Sequence, residues 1–312
     1  MEQVRFASAK RLSLALWLGL IIVSLATAQP AVAVPRVLAS IKPIHSLAAA
    51  VMAGVASPEL LIEGTASEHG YVLRPGDARK IAQADIVFWV GPDLETYLIG
   101  PLANLAASAR KVELEHVPGL RLLPARPAGV WVTGRQAPSS GINPHIWLSP
   151  DNAIVILRAM AAALSAADPK NTERYRRNAA RETARLVQLK AQIRTALAPV
   201  RGRPFIVFHD AYPYFEQAFG IPATGAVTVA PDRPVGPRTI AQLRAAIAEH
   251  HIVCIFREPQ FPPNLIGTLI AGTAVRVGVL DPLGADLRPG PNLYPTMMLR
   301  IATALRSCLA AH

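Results

Sequence analysis

The chain has 312 residues, 51% hydrophobic and 17% charged, and its Lys and Arg outnumber its Asp and Glu to give a formal charge of +11. Apolar residues are plentiful enough for one large core or two medium ones, and no long charge block argues for disorder. A basic balance suits nucleic acid or anionic surfaces, but the cations are mostly arginines scattered over helical segments with no nucleic-acid motif beside them, so no nucleic-acid partner is expected.

Residues 1–33 read as a cleavable secretory leader. Arg5, Lys10 and Arg11 precede an uncharged apolar run from Leu12 to Ala28, and two small-x-small sites follow, Ala26-Thr27-Ala28 and Ala31-Val32-Ala33. The run approaches the length of a membrane span, but the small residues and prolines immediately after it favour cleavage, after Ala28 or after Ala33. No cysteine occurs before Cys254, which excludes a lipid anchor on an N-terminal cysteine. No later stretch is a convincing transmembrane helix, so export to a non-cytoplasmic compartment is expected. An oxidising compartment favours pairing Cys254 with Cys308 over two buried thiols, and the bridge would contribute about 3–4 kcal/mol on the chain-entropy model.

After the leader, "RVLASI" (Arg36 to Ile41) has the apolar, β-branched character of a short buried strand, and Pro43 opens a helix in "PIHSLAAAVMAGV". "ELLIEG" is a second strand, "PGDARKIAQA" a helix, and "DIVFWVGP" (Asp85 to Pro92) a strand stopped by Gly91 and Pro92. Val117 to Ile142 breaks this rhythm with Pro, Gly, Ser and Arg and reads as a loop. "SPDNAIVILRAMAAALSAADP" then starts a helix, with Ser149 as N-cap and Pro150 at the first helical position. A long polar helix follows, roughly Asn171 to Ala198. Ala179, Leu186, Ile193, Leu189 and Leu197 form its one narrow apolar stripe, and Pro199, Gly202 and Pro204 end it. A second series, "PFIVFHD", "TIAQLRAAIAEHH", "IVCIFREP", "NLIGTLIAGTA", "VRVGVLDP" and a last helix to Cys308, repeats the alternation. Alternating strands and helices imply parallel sheets. The fold class expected is therefore α/β: two parallel-sheet lobes, 34–168 and 200–312, joined by one long rigid helix over 169–199.

Three histidines share a placement. His69 lies on the loop after a strand, His145 at the end of the loop entering a helix, and His209 at the carboxyl end of "PFIVFHD"; Asp281 holds the matching position in "VRVGVLDP". In open α/β sheets the carboxyl ends of the strands are where ligands bind. Glu68 stands beside His69. A loop histidine by itself is ordinarily solvated, and no local metal motif such as H-E-x-x-H is present, so spacing alone does not decide between a site and isolated polar residues.

"SIKPIHSLAAAVM", "TASEHGYVLRPGDARKIAQADIVFWVGPDLE", "NPHIWLSP", "FIVFHDAYPYFEQAFG", "REPQF" and "VGVLDPLG" resemble, in order, the blocks of the zinc-uptake solute-binding proteins of bacterial ABC transporters, the ZnuA type, from about Arg36 to Leu309. The resemblance implies two α/β lobes bridged by a rigid helix with the metal in the cleft between them. By motif it implies His69, His145 and His209 as metal ligands, with a carboxylate or water as the fourth. Asp281 is favoured on reach and Glu68 is the alternative, because adjacent Glu68 and His69 need a bent backbone to face one ion. It also implies a Cys254–Cys308 disulfide.

Three imidazoles and a carboxylate suit tetrahedral Zn²⁺, whereas Mn²⁺ prefers more oxygen, and the manganese relatives carry a glutamate where this chain has His209. Asp210 and Glu258 are candidates to orient a histidine ring. Unlike many family members, the stretch Val117–Ile142 holds no histidine and no acid but Arg121, Arg126 and Arg135, so deleting it is expected to change zinc affinity little. The expectation is a monomeric periplasmic carrier that delivers Zn²⁺ to an ABC permease with its cytoplasmic ATPase and catalyses nothing. The rivals are the same fold carrying Mn²⁺ or Fe²⁺, and an exported zinc hydrolase.

Overall fold

The computed structural model describes residues 33–131, 141–229, 231 and 234–310; residues 1–32 of the leader and Arg135 of the arginine-bearing loop lie outside the described residues. Among the described residues no helix is long and apolar enough to cross a membrane.

Two sheets organise the chain. The first consists of β1 (Val37–Ala39), β2 (Glu59–Leu60), β3 (Ile86–Trp89) and β4 (Arg110–Glu113), in the order β2-β1-β3-β4, all parallel. The second contains β5 (Gly129–Val130), β6 (Phe205–His209), β7 (Gly225–Thr228), β8 (Cys254–Arg257) and β9 (Arg276–Val279), in the order β5-β7-β6-β8-β9. It is parallel except at β5, which adds antiparallel to β7. β5 precedes the long helix in sequence yet belongs to the second sheet, so the arginine-bearing loop spans both sheets' territory. Strands β1, β3 and β6 are buried along their whole length, as parallel strands covered on both faces must be.

The longer helices fall where the apolar periodicity and caps place them. α1 (Lys42–Met52) carries Pro43 in its first turn; α2 (Pro75–Gln83) carries a reciprocal cap between Arg74 and Asp77; α3 (Ile99–Asn104) is a short addition the pattern does not announce. α4 (Pro150–Ala167) starts with the Ser149 hydroxyl accepting the Asn152 N–H at 3.2 Å. α5 (Thr172–Leu197) is the long helix. Leu186, Leu189, Ile193 and Leu197 on it are buried against α1, α4 and the last helix, each contributing about 1.5–3 kcal/mol. The second half continues with α6 (Pro213–Phe219), α7 (Pro237–Glu249), α8 (Asn264–Ile270) and α9 (Leu293–Ala310).

One continuous apolar cluster runs from α1 and β1 through α4 and α5 to α9, so α5 is packed into residues of both halves. Smaller clusters back the outer face of each sheet. Cys254 at the start of β8 is disulfide-bonded to Cys308 near the end of α9.

Candidate metal centre

Residues singled out in the sequence arrive from three segments of the chain. His209 is the last residue of β6, at the carboxyl end of the sheet. His145 precedes the 3-10 turn Ile146–Leu148 that leads into α4. Glu68 and His69 come from the loop between β2 and α2. Here the Ser67 hydroxyl accepts the His69 N–H at 3.2 Å, and this turn supplies the backbone bend that two adjacent inward side chains need. Glu68, His69, His145 and His209 each present one donor atom, and the four atoms lie within 4.8 Å of one another.

Asp281 does not join them. Its Oδ1 accepts the N–H groups of Leu283 and Gly284 at 3.1 and 3.0 Å and the Gln260 amide at 2.9 Å, and its Oδ2 accepts the Ala285 N–H at 2.6 Å. The carboxylate is used by its own loop, and Glu68 occupies the place by the histidines for which reach along the chain favoured Asp281.

Glu68, His145 and His209 are 1–2% exposed, so any charge in the cluster is poorly solvated. His145 Nε2 and His209 Nε2 are 3.1 Å apart, and Glu68 Oε1 lies 3.7 Å from His145 Nε2 and 3.9 Å from His69 Nε2. Four donors around one ion at 2.0–2.1 Å stand roughly 3.3 Å from one another, so the cluster is near that spacing. Glu68 Oε1 and His69 Nε2 are buried with no hydrogen-bond partner among the described residues. Orphaned buried acceptors are costly, and a cation between them relieves the cost.

The far nitrogens determine which lone pairs face inward. His209 Nδ1 donates to Glu258 Oε2 at 2.6 Å, and the Tyr212 hydroxyl donates to Glu258 Oε1 at 3.1 Å. His145 Nδ1 donates to Asn143 Oδ1 at 3.0 Å. Both rings therefore turn Nε2 toward the centre, and two Nε2 lone pairs at 3.1 Å repel unless a proton or a metal stands between them. Burial pushes His145 well below the ordinary histidine value and pushes His69 down to about 3. His209 moves the other way: burial opposes its charge, but the Glu258 carboxylate, with Glu68 and Asp210 adding to it, raises it overall. Of the three rings, His209 is thus the one whose surroundings favour the charged form, while burial disfavours it at His69 and His145.

Of the two residues expected to orient a ring, Glu258 does so directly. Asp210 acts at one remove: its main-chain carbonyl accepts Asn143 Nδ2 at 2.6 Å, and Asn143 holds His145. Asn143 and Tyr212 escaped sequence reasoning; the only signal available was their position two residues before His145 and three after His209. Trp147, buried against the His145 ring at 5.2 Å between centroids, donates its indole N–H to Pro282 O across the two halves.

The geometry is matched by similarity. The family model described as zinc-uptake complex component A, periplasmic (ZnuA), matches residues 37–308. The high-affinity zinc uptake system protein ZnuA of Brucella suis is 38% identical over 305 residues, covering 88% of this chain and 91% of that protein. In fold, the chain resembles the periplasmic zinc-binding protein TroA from Treponema pallidum, with TM-score 0.76 and 21% identity over 89% of this chain and 99% of that one. It also resembles the SBP FpvC from Pseudomonas aeruginosa in complex with Mn²⁺, with TM-score 0.77 and 22% identity over the same shares.

Proposed function

This chain belongs to the ZnuA family of periplasmic zinc-uptake components, and from that premise we propose that it captures Zn²⁺ in a four-donor site made of Glu68, His69, His145 and His209 and hands it to an ABC permease driven by a cytoplasmic ATPase. The observation that carries the reading is the convergence of these four donor atoms within 4.8 Å, two of them buried without a partner. Three imidazole nitrogens and one carboxylate oxygen are a borderline-soft tetrahedral set, which favours zinc over the oxygen-rich, higher-coordinate environment manganese prefers.

Four protein donors would leave no coordination position for a water, which favours a carrier over a hydrolase. Residues 1–33 are the export leader, and the periplasm is where the mature chain works. α5 packs on α1, α4 and α9 along its length, which favours lobes 34–168 and 200–312 that move little about the connecting segment 169–199. Release of the ion then requires a donor to withdraw, and the exposed loop carrying Glu68 and His69 is the part free to do so.

The test is metal content after purification without added metal, followed by zinc competition titration against a chelator and against Mn²⁺. About one equivalent of zinc, with manganese unable to displace it, is the expected result. Preferential retention of manganese, or no tight zinc, overturns the reading.

A further inference from the structure

We propose that Arg126 is a positioning residue of the metal centre, holding the His145 ring in its ligating orientation through Asp210 and Asn143. Arg126 belongs to the loop that lacks every metal-ligating residue type, and it touches none of the four donors. Its guanidinium instead spans two buried carboxylates. Nε and Nη2 donate to Asp210 Oδ1 at 2.9 and 2.5 Å, and Nη1 and Nη2 donate to Glu216 Oε2 and Oε1 at 2.7 and 2.8 Å. Its main-chain N–H donates to Asp210 Oδ2 at 3.0 Å. The Asp210 and Glu216 side chains are 5% and 6% exposed, so the pairings are formed away from solvent.

Both Asp210 oxygens are thereby fixed, and with them the backbone right after His209. The Asp210 carbonyl accepts Asn143 Nδ2, which leaves one orientation for the amide, Oδ1 toward His145. That oxygen takes both the His145 main-chain N–H, at 3.1 Å, and ring Nδ1–H, at 3.0 Å. The loop closes on itself around this link: Asn143 N–H donates to Leu123 O at 2.8 Å, and the Tyr214 hydroxyl donates to Asn143 O at 2.7 Å while accepting the Leu123 N–H at 3.1 Å. Trp131 covers the guanidinium face at 3.6 Å. A loop without ligands is in this way tied to the tautomer of one ligand. On this link, its excision is expected to weaken zinc, the reverse of the expectation drawn from its composition.

An arginine fork is what the geometry requires, since a lysine ammonium keeps the charge but lacks the planar donors that span two carboxylates. Arg126→Lys is thus the informative variant, because it leaves neither Asp210 nor Glu216 without a counter-charge. It is measured beside Asn143→Ala, the double variant, and Arg121→Ala as a loop control. The inference rests on the zinc-capture reading, so one readout is taken without metal: long-range ¹H–¹⁵N spectra of the histidine rings. The others are zinc affinity by competition and the visible bands of the Co²⁺ form.

Arg126→Lys and Asn143→Ala are each expected to weaken zinc by about 10–100-fold and to alter the Co²⁺ bands. The double variant is expected to lose no more than the larger single effect, and metal-free His145 to lose its single Nδ1–H tautomer in both. Arg121→Ala is expected to match wild type. Affinity within about twofold in Arg126→Lys with unchanged bands and tautomer overturns the proposal, as do losses that multiply in the double variant. If wild type shows the tautomer but binds no zinc, the carrier reading falls and the positioning link stands.

Discussion

Exchanging Glu68 for glutamine separates the two candidate fourth ligands and has an effect whose size the geometry sets. Glu68 Oε1 is buried, without a hydrogen bond, and 3.7 and 3.9 Å from two imidazole nitrogens that face the same centre. A pair of unit charges about 4 Å apart interacts by roughly 4 kcal/mol at an effective dielectric of 20, and a divalent ion in contact with the carboxylate is held at least that strongly. Glutamine keeps an oxygen donor and loses the charge, so a net loss of about 3–4 kcal/mol is expected, or roughly 200–1,000-fold in affinity. The same change takes a poorly solvated negative charge out of the interior, so the metal-free protein should melt higher. Asp281→Asn should do the reverse: its carboxylate accepts three backbone N–H groups of residues 283–285, so the loop loses stability while zinc affinity stays near wild type. Competition titration with a chromophoric chelator gives the affinities, and calorimetric melting of the chelated proteins gives the stabilities. The reasoning is refuted if Asp281→Asn loses more zinc affinity than Glu68→Gln.

His145→Ala and His209→Ala should each weaken zinc by orders of magnitude with the fold retained by circular dichroism; wild-type affinity in both excludes the site. Because Glu258 raises His209 and zinc binds only a deprotonated ring nitrogen, zinc capture should release protons in growing number as pH falls. Isothermal titration in buffers of different ionisation enthalpy reads that number, and Glu258→Gln should lower it. Burial depresses His69 and His145 in the folded state, so the unfolded chain binds more protons. Their contribution to metal-free stability is full above about pH 6.5 and is lost as pH falls toward the His69 value of about 3. His209, raised, acts in the opposite sense, contributing below about pH 6.5 and losing that contribution as pH rises through its folded value. The share carried by His69 is read by comparison: His69→Gln should lose less stability than wild type between pH 7 and pH 5, and an unchanged slope counts against neutral burial. Replacing Cys254 and Cys308 by serine should cost about 3–4 kcal/mol of stability but leave zinc affinity unchanged. The bridge joins the start of β8, whereas Glu258 follows its far end; a large affinity loss would show that the bridge shapes the centre.

Local pattern carried much of the fold. Runs of β-branched and apolar residues ended by Gly and Pro located β1, β3, β6, β8 and β9, and Pro150 behind Ser149 marked the start of α4, because caps and periodicity are decided within a few residues. Short pieces with weak signals, α3, β4, α6 and β7, went unread. β5 could not be assigned to the second sheet, since a two-residue strand owes its existence to the partner it meets. The strand-end placement of His209 was legible as chemistry; its meeting with His69 and His145 was legible only through resemblance. What the tertiary structure alone decided is which carboxylate stands with them. Asp281 has reach but is consumed by the amides of its own loop, while Glu68 turns inward because the Ser67 hydroxyl bends the chain. The same holds for Arg126, whose role depends on two carboxylates far along the chain. Competition among buried polar groups for partners is a property of the assembled interior, and no local spacing encodes its outcome.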